Sequence, residues 1–493
     1  MHKIAHQLSV LLFFTFGASV ALGQTQAQCE KEAAAAYEYC LQHGIPCVPE
    51  EPNCVPHKGS PAQCLPAYNA AYQRCQPSFS WTQIAGPSSN SAWPPARQLA
   101  AYWTDAQGNF WLFGGNGLTV PAGSQGGVLT FINDLWKFTP SGLPQSPGSW
   151  KLMEGSNQLG AVNTSSMPGG RMSTAFTVDA QGNLWLFGGL GFGMNSQGMV
   201  TAGLLNDLWK YVPGVGGTAG TWKLISGQNL VNQLGTNNQP SARSNSVCWI
   251  DSNGNFWLFG GDGFSSSPVL GPGPFFLNDL WEYSPSANTW ALVSGPANTS
   301  GKPVGRAGAS YWSDGKGNVW IFGGFGFDTT KAEGPLNDLW FFNSSTGQWS
   351  LINGSVTVAG SGGNYGQQAV PLASNAPPGR SLSAWWTDSQ GNLWLFGGTN
   401  NNAWFPNSSP QFQNLFNDLW EFKPASKTWI WIGGSKGPGS TAPPGASPGA
   451  RTGAAVWPRS FSNAWLFGGL GTVSPLQESI VLFDMWDGNG TVY

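Results

Sequence analysis

Charge is what this chain has least of. Asp, Glu, Lys and Arg together make up 9% of the 493 residues, and the formal net charge is −3. No basic stripe exists for a nucleic-acid backbone or an anionic membrane surface, so neither partner is expected. Histidine is nearly missing too: the four are His2, His6, His43 and His57, and none follows in the remaining sequence. A His-based triad and a histidine-bound metal are therefore excluded from everything after residue 57. No apolar stretch of about 18 residues occurs, so no membrane span is expected. Cysteine disappears after Cys75 except for Cys248, which sits in an apolar strand and reads as a small buried hydrophobe.

The start of the chain has its own character. Lys3, the apolar stretch Leu8 to Val20 and the small-residue site Ala21-Leu22-Gly23 read as a secretory signal peptide over residues 1–23, giving a secreted or periplasmic protein. Residues 24–77 hold Cys29, Cys40, Cys47, Cys54, Cys64 and Cys75. Six cysteines in an exported chain read as three disulfides. The helix-forming stretches inside Cys29–Cys40 and Cys64–Cys75 suggest a helical hairpin. Such a hairpin would pair Cys29 with Cys75, Cys40 with Cys64 and Cys47 with Cys54, one of fifteen arrangements. Zinc is the rival reading, but C-x-x-C pairs are lacking.

What is abundant is glycine (69), tryptophan (27) and repetition. Phe-Gly-Gly recurs at Phe113, Phe187, Phe259, Phe322, Phe396 and Phe467. Five copies are followed by Asn-Asp-Leu-Trp, at Asn133, Asn206, Asn278, Asn337 and Asn417, and the sixth by Asp484-Met485-Trp486. Within one copy, Ser244 to Ile250 reads as a first strand, Phe256 to Phe259 as a second, Leu280 to Tyr283 as a third, and the segment from Trp290 as a fourth. Four antiparallel strands, apolar on both faces, need neighbours on both sides, as in the blades of a β-propeller. Fourth-strand tryptophans are Trp150, Trp222, Trp290, Trp349 and Trp429, one short of six. The missing strand is expected at the other end, where Ser80-Trp81-Thr82-Gln83-Ile84 matches Thr221-Trp222-Lys223-Leu224-Ile225. Borrowing it closes the ring and removes an edge.

This pattern resembles the kelch repeat, with Gly-Gly after the second strand and paired aromatics later in each copy. The resemblance covers Phe79 to the C-terminus and implies an all-β fold, a six-bladed kelch-type propeller over residues 78–493. The spacing departs from the family, with Gly115 and Gly189 lying 74 residues apart against about 50 for kelch. The excess falls in the second-to-third and blade-to-blade connections, as in Leu190 to Leu205, Asp262 to Leu277, Thr399 to Phe416 and Asn353 to Gly379. All share one face, where function is expected.

Six of the eight arginines, Arg97, Arg171, Arg243, Arg306, Arg380 and Arg451, begin the first strands at that face. Two roles are open to them: an anion-binding ring, as the resemblance implies, or an internal lattice with Asp134, Asp207, Asp279, Asp338, Asp418 and Asp484. Trp93 and Trp404 stand outside the repeat positions and can stack on sugar rings. Kelch-like enzymes offer two precedents. The copper site of the galactose oxidase type needs histidines that the repeats lack. The sialic-acid epimerase type uses Glu and Arg, for which Glu154, Glu333 and Glu478 are the candidates near the rim. The expected function is recognition of a glycan or protein ligand at the cell surface by a monomer, without catalysis, metal or cofactor. The alternatives are the sugar-modifying enzyme and a structural adhesive or matrix protein.

Overall fold

The computed structural model describes residues 79–490, apart from 86–92, 120–127, 144–145, 157–160, 215–217, 265–273, 296–300, 402–413, 440–446, 460–462 and 473–478. The signal peptide, the six N-terminal cysteines with their proposed pairing, Trp404 and Glu478 lie outside the described residues. Phe79–Asn489 forms one compact unit. Among the described residues its regular structure is β-sheet, apart from short 3₁₀ turns such as Val358–Gly360. Among the described residues, no helix is long and apolar enough to cross a membrane.

Six antiparallel blade sheets follow one another along the chain, four of four strands and two of five. In the first, Ala101–Thr104 pairs with Phe110–Phe113, which pairs with Leu135–Leu143, which pairs with Ser146–Glu154. The sixth takes its outer strand from the beginning of the unit, because Phe79–Ala85 lies beside Met485–Gly490. Phe79 and Trp81 pack against the fifth blade at Trp394 and Phe396. Each pair of adjacent blades shares one apolar core, including the sixth with the first, where Trp457, Trp465 and Phe467 meet Phe110, Phe138 and Trp150. The ring is a closed six-bladed propeller.

The motifs now have physical meanings. In each Phe-Gly-Gly both glycines have positive φ, 66° and 101° at Gly114 and Gly115. A Cβ on Gly114 would sit 2.8 Å from the carbonyl oxygen of Arg171 in the next blade. Glycine is needed there because backbone approaches backbone. In Asn-Asp-Leu-Trp the indole N–H of the tryptophan donates to the aspartate two residues before it, at 2.6–2.8 Å in all six blades. The asparagine bridges outward: Asn133 donates to Pro168 O and accepts from Ser156 N, and Asn337 does the same with Pro377 and Ser355. On the short-turn face, Asp105, Asp179, Asp251 and Asp388 accept backbone N–H groups of their own turns and the indole N–H of the tryptophan six residues on. These are turn locks.

Two expectations need correction. The first strand is not continuous. Arg243–Ser244 and Val247–Ile250 are separate pieces, broken where Asn245 adopts φ of 57°. Among the described residues, the second-to-third connections of the second and third blades are not irregular loops either. In the second blade, Leu184–Met194 and Val200–Val212 run on past the Gly-Gly as a paired hairpin, with a bulge between Phe187 and Gly189. In the third, Phe256–Phe264 and Pro274–Ser284 do likewise. The bulge re-aims the strand so that a second tier of sheet stands on the first.

Candidate functional site

The arginines settle between these two tiers. Each Nε donates to the carbonyl two residues back, and one terminal nitrogen donates to the first glycine of its own blade's Gly-Gly, as Arg97 does to Pro95 O and Gly114 O. The two terminal nitrogens grip one carboxylate in a fork: Arg97 with Asp134, Arg171 with Asp207, Arg243 with Asp279, Arg306 with Asp338, Arg380 with Asp418 and Arg451 with Asp484. The closest approach in each pair is 2.5–2.7 Å, and the arginine side chains are 0–2% exposed. Burial opposes ionisation of Asp207, Asp279 and Asp484, yet the facing guanidinium and the indole N–H hold all three below the usual carboxylate range. Of the two roles open to these residues, the internal lattice accounts for the geometry. As anion ligands they would first have to surrender their aspartates.

Inside this layer the chain makes a closed ring around the axis. Leu99, Ser173, Asn245, Gly308, Leu382 and Gly453 all have φ between 57° and 66°. Each donates its N–H to the carbonyl of the equivalent residue in the preceding blade, at 2.8–3.0 Å, and Leu99 closes the circle on Gly453. The left-handed conformation at leucine and serine is strained, and the ring of hydrogen bonds holds it. Next to this ring an axial cavity encloses about 570 Å³ of empty space, its open mouth included. Tyr102, Phe176, Tyr311 and Trp385 contribute its aromatic wall. Tyr311 donates to Phe176 O, and Ser173 Oγ is buried without a partner. Among the described residues, no charged side chain lines it.

The long-loop face carries most of the solvent-facing apolar side chains that the outer strands do not. On its hairpins these are Leu118, Val128, Leu129, Met199, Val200, Phe327 and Ile480, with Leu234 on a blade-to-blade connection; Met199 is 59% exposed. A second set, Leu152, Leu224, Leu292 and Leu351, repeats at one position on the outer edges of the first four blades. In the fifth blade that edge is covered by the chain itself. There Ala369 N donates to Trp431 O, and Tyr365 packs on Trp420 and Trp431 while donating to Asp418.

Trp93 does not stand free on this face. It is half-buried against Trp150 and Phe483, so it packs the propeller wall. Glu154, at the end of its strand, is pushed up by burial. Glu333 pairs across its hairpin with Phe327. The carboxylate in every arginine fork is an aspartate of the same blade, and among the described residues no glutamate joins a fork.

One acid has no counterpart among the residues that the repeat pattern singles out. Asp262 follows the Gly-Gly of the third blade, where the other blades have Asn116, Leu190, Phe325, Thr399 and Leu470. Burial raises its carboxyl to about 6, and only a hydrogen bond from Ser244 Oγ at 2.5 Å and its own backbone N–H oppose this. Laying the six copies over one another gives the signal: a lone charge at a position that is otherwise neutral.

Residues 150–369 match a family model described as the KLHDC2/KLHL20/DRC7 Kelch-repeats domain. No curated protein sequence matches the chain. Among solved structures, it is similar to that of YjhT, with 14% identity over 80% of this chain and 96% of the other, at a TM-score of 0.48. It is also similar to a fungal alcohol oxidase of the AA5 family in complex with copper, with 12% identity over 80% of this chain and 74% of the other, at a TM-score of 0.43.

Proposed function

Since the chain is a kelch-repeat β-propeller, we propose that it serves as a non-catalytic recognition module of an exported protein, binding a polypeptide partner through the hairpins of its long-loop face. One observation carries this reading. The arginines of that face are consumed in six internal forks, while its hairpins hold out Leu118, Leu129, Met199, Val200 and Phe327 to solvent. Apolar side chains gathered on the elaborated face of a rigid scaffold mark an interaction surface. A polypeptide suits it better than an acidic sugar, because the guanidinium donors that a carboxylate needs are already taken.

The test is selection of random peptides on the immobilised full-length protein, followed by titration of the winners against a Leu118→Asp/Met199→Asp variant. Affinity should fall at least tenfold, while the melting temperature stays put, because both side chains are exposed. Winners that bind the variant as well as the wild type would move the interface elsewhere.

A further inference from the structure

The hairpins of the third and fourth blades differ from the rest in what they bring together. Asp262 lies opposite Ser244 on one side and opposite Phe276 on the other, so the three share one face of the hairpin. Phe276 packs against two phenylalanines of the fourth-blade hairpin, Phe325 at 5.9 Å and Phe327 at 5.7 Å between ring centroids. Phe325 is buried, and Phe327 is 39% exposed. Ser244 Oγ donates to the carboxylate and itself accepts from Asn245 Nδ2 at 2.9 Å, which fixes its direction. Among the described residues, Ser244 is the one other side chain that hydrogen-bonds to Asp262. The contrast with Asp279 of the same blade is direct. That carboxylate is held low by Arg243, whereas no cation among the described residues offsets the burial of Asp262.

An acid without a counter-ion beside partly exposed aromatic rings is arranged for a cation supplied from outside. Carboxylate provides charge-assisted hydrogen bonding, and phenyl faces attract the same cation through their quadrupole. We propose that Asp262, Ser244, Phe276 and Phe327 form a subsite for the guanidinium or ammonium group of an arginine or lysine side chain in the bound polypeptide. The proposal rests on the reading that the long-loop face binds a polypeptide, and it adds what that polypeptide must carry. Apolar residues of the partner cover the leucine and methionine hairpins while one basic side chain enters between the third and fourth blades. Pairing that cation with a partly buried carboxylate gives the contact its selectivity, since a neutral side chain would leave the acid unpaired.

Two measurements on the full-length protein separate the subsite from the reading beneath it. The first titrates Nα-acetyl-arginine methylamide, Nα-acetyl-lysine methylamide and the neutral Nα-acetyl-norleucine methylamide by ligand-observed NMR. The basic probes should bind at least tenfold more tightly than norleucine, and Asp262→Asn should abolish that preference without lowering the melting temperature. Phe327→Ala, at an exposed position, should weaken both basic probes severalfold. Equal binding of all three probes, or a preference that survives Asp262→Asn, overturns the subsite. The second compares the selected peptides. Sequences enriched in arginine or lysine that lose affinity on Asp262→Asn support the subsite. Sequences that are weakened by Leu118→Asp/Met199→Asp but carry no basic residue and ignore Asp262→Asn overturn the subsite and leave the polypeptide face standing. Sequences indifferent to both variants overturn the polypeptide face itself.

Discussion

The two faces of this propeller follow opposite rules. On the short-turn face the same few residues do the same thing in blade after blade: an aspartate takes its own turn's N–H groups and the indole N–H of the tryptophan six residues on. On the long-loop face what repeats is buried: the fork of arginine and aspartate, with the Gly-Gly and the bridging asparagine beside it. Everything above it, from Leu118 and Met199 to Asp262 and Phe327, differs from blade to blade. Repetition marks what the ring needs in order to close. Divergence marks what an outside molecule would have to read. The arginines sit at the boundary and belong with the repeated, structural half.

The strongest way to break this division is to open the ring. A chain beginning after residue 90 lacks the strand Phe79–Ala85, so it loses the cover of Phe79 and Trp81 over the fifth and sixth blades and exposes Met485–Gly490 as an edge. The loss should exceed the about 3–5 kcal/mol of a single large aromatic truncation, read as a lower denaturation midpoint. A truncated chain that melts like the full-length one would show that closure lies elsewhere.

Next in size is the fork. Arg306→Ala leaves Asp338 buried with its guanidinium gone, which should cost about 3–5 kcal/mol. Replacing both partners, as in Arg306→Met/Asp338→Leu, should restore much of that loss, because no buried charge is then left alone. If Arg306→Ala melts normally and instead abolishes ligand binding, the arginines belong to the recognition half after all.

Glu421 sharpens the comparison from inside the repeated half. In the first two blades its position holds Lys137 and Lys210, and Lys210 pairs with Asp179. In the fifth it holds a buried glutamate whose Oε2 has no partner. Burial pushes this carboxyl up to about 7, Lys423 opposes the rise, and Asp388 adds to it. Its proton is held more tightly folded than unfolded, so stability should fall as pH rises from about 4.5 to about 7 and then level off. The drop is on the order of 3 kcal/mol. Glu421→Gln should flatten that part of the profile and melt higher than the wild type at pH 8. A wild-type profile that is already flat there would mean that the carboxylate finds solvent.

Smallest is the effect on folding of changes at the rim. Met199→Asp should stay within about 0.5 kcal/mol of wild type, because surface changes away from caps and cores rarely exceed that.

Much of the repeated half is legible in the amino-acid sequence alone. Trp81 matches Trp222 and identifies the closing strand, and the copies of Phe-Gly-Gly count the blades. The ring at the axis is not legible. Leu99, Ser173, Asn245, Gly308, Leu382 and Gly453 share no side-chain chemistry, and their common conformation comes from backbone hydrogen bonds between blades. The hairpins of the upper tier are hidden for a similar reason. Leu190 to Leu205 carries four glycines and reads as loop, yet pairing past the bulge makes it sheet. Arginine positions alone do not decide between anion ring and lattice. That depends on whether an aspartate from the third strand reaches each guanidinium, which is a matter of register between strands some 30 to 40 residues apart.

The division between a repeated core and a varied rim comes down to one paired titration. A selected peptide is measured against Leu118→Asp/Met199→Asp and against Arg306→Ala, both kept below their melting transitions. The rim variant should bind at least tenfold more weakly, and Arg306→Ala should bind like the wild type despite its lower stability. Full affinity in the rim variant together with lost affinity in Arg306→Ala would contradict the account.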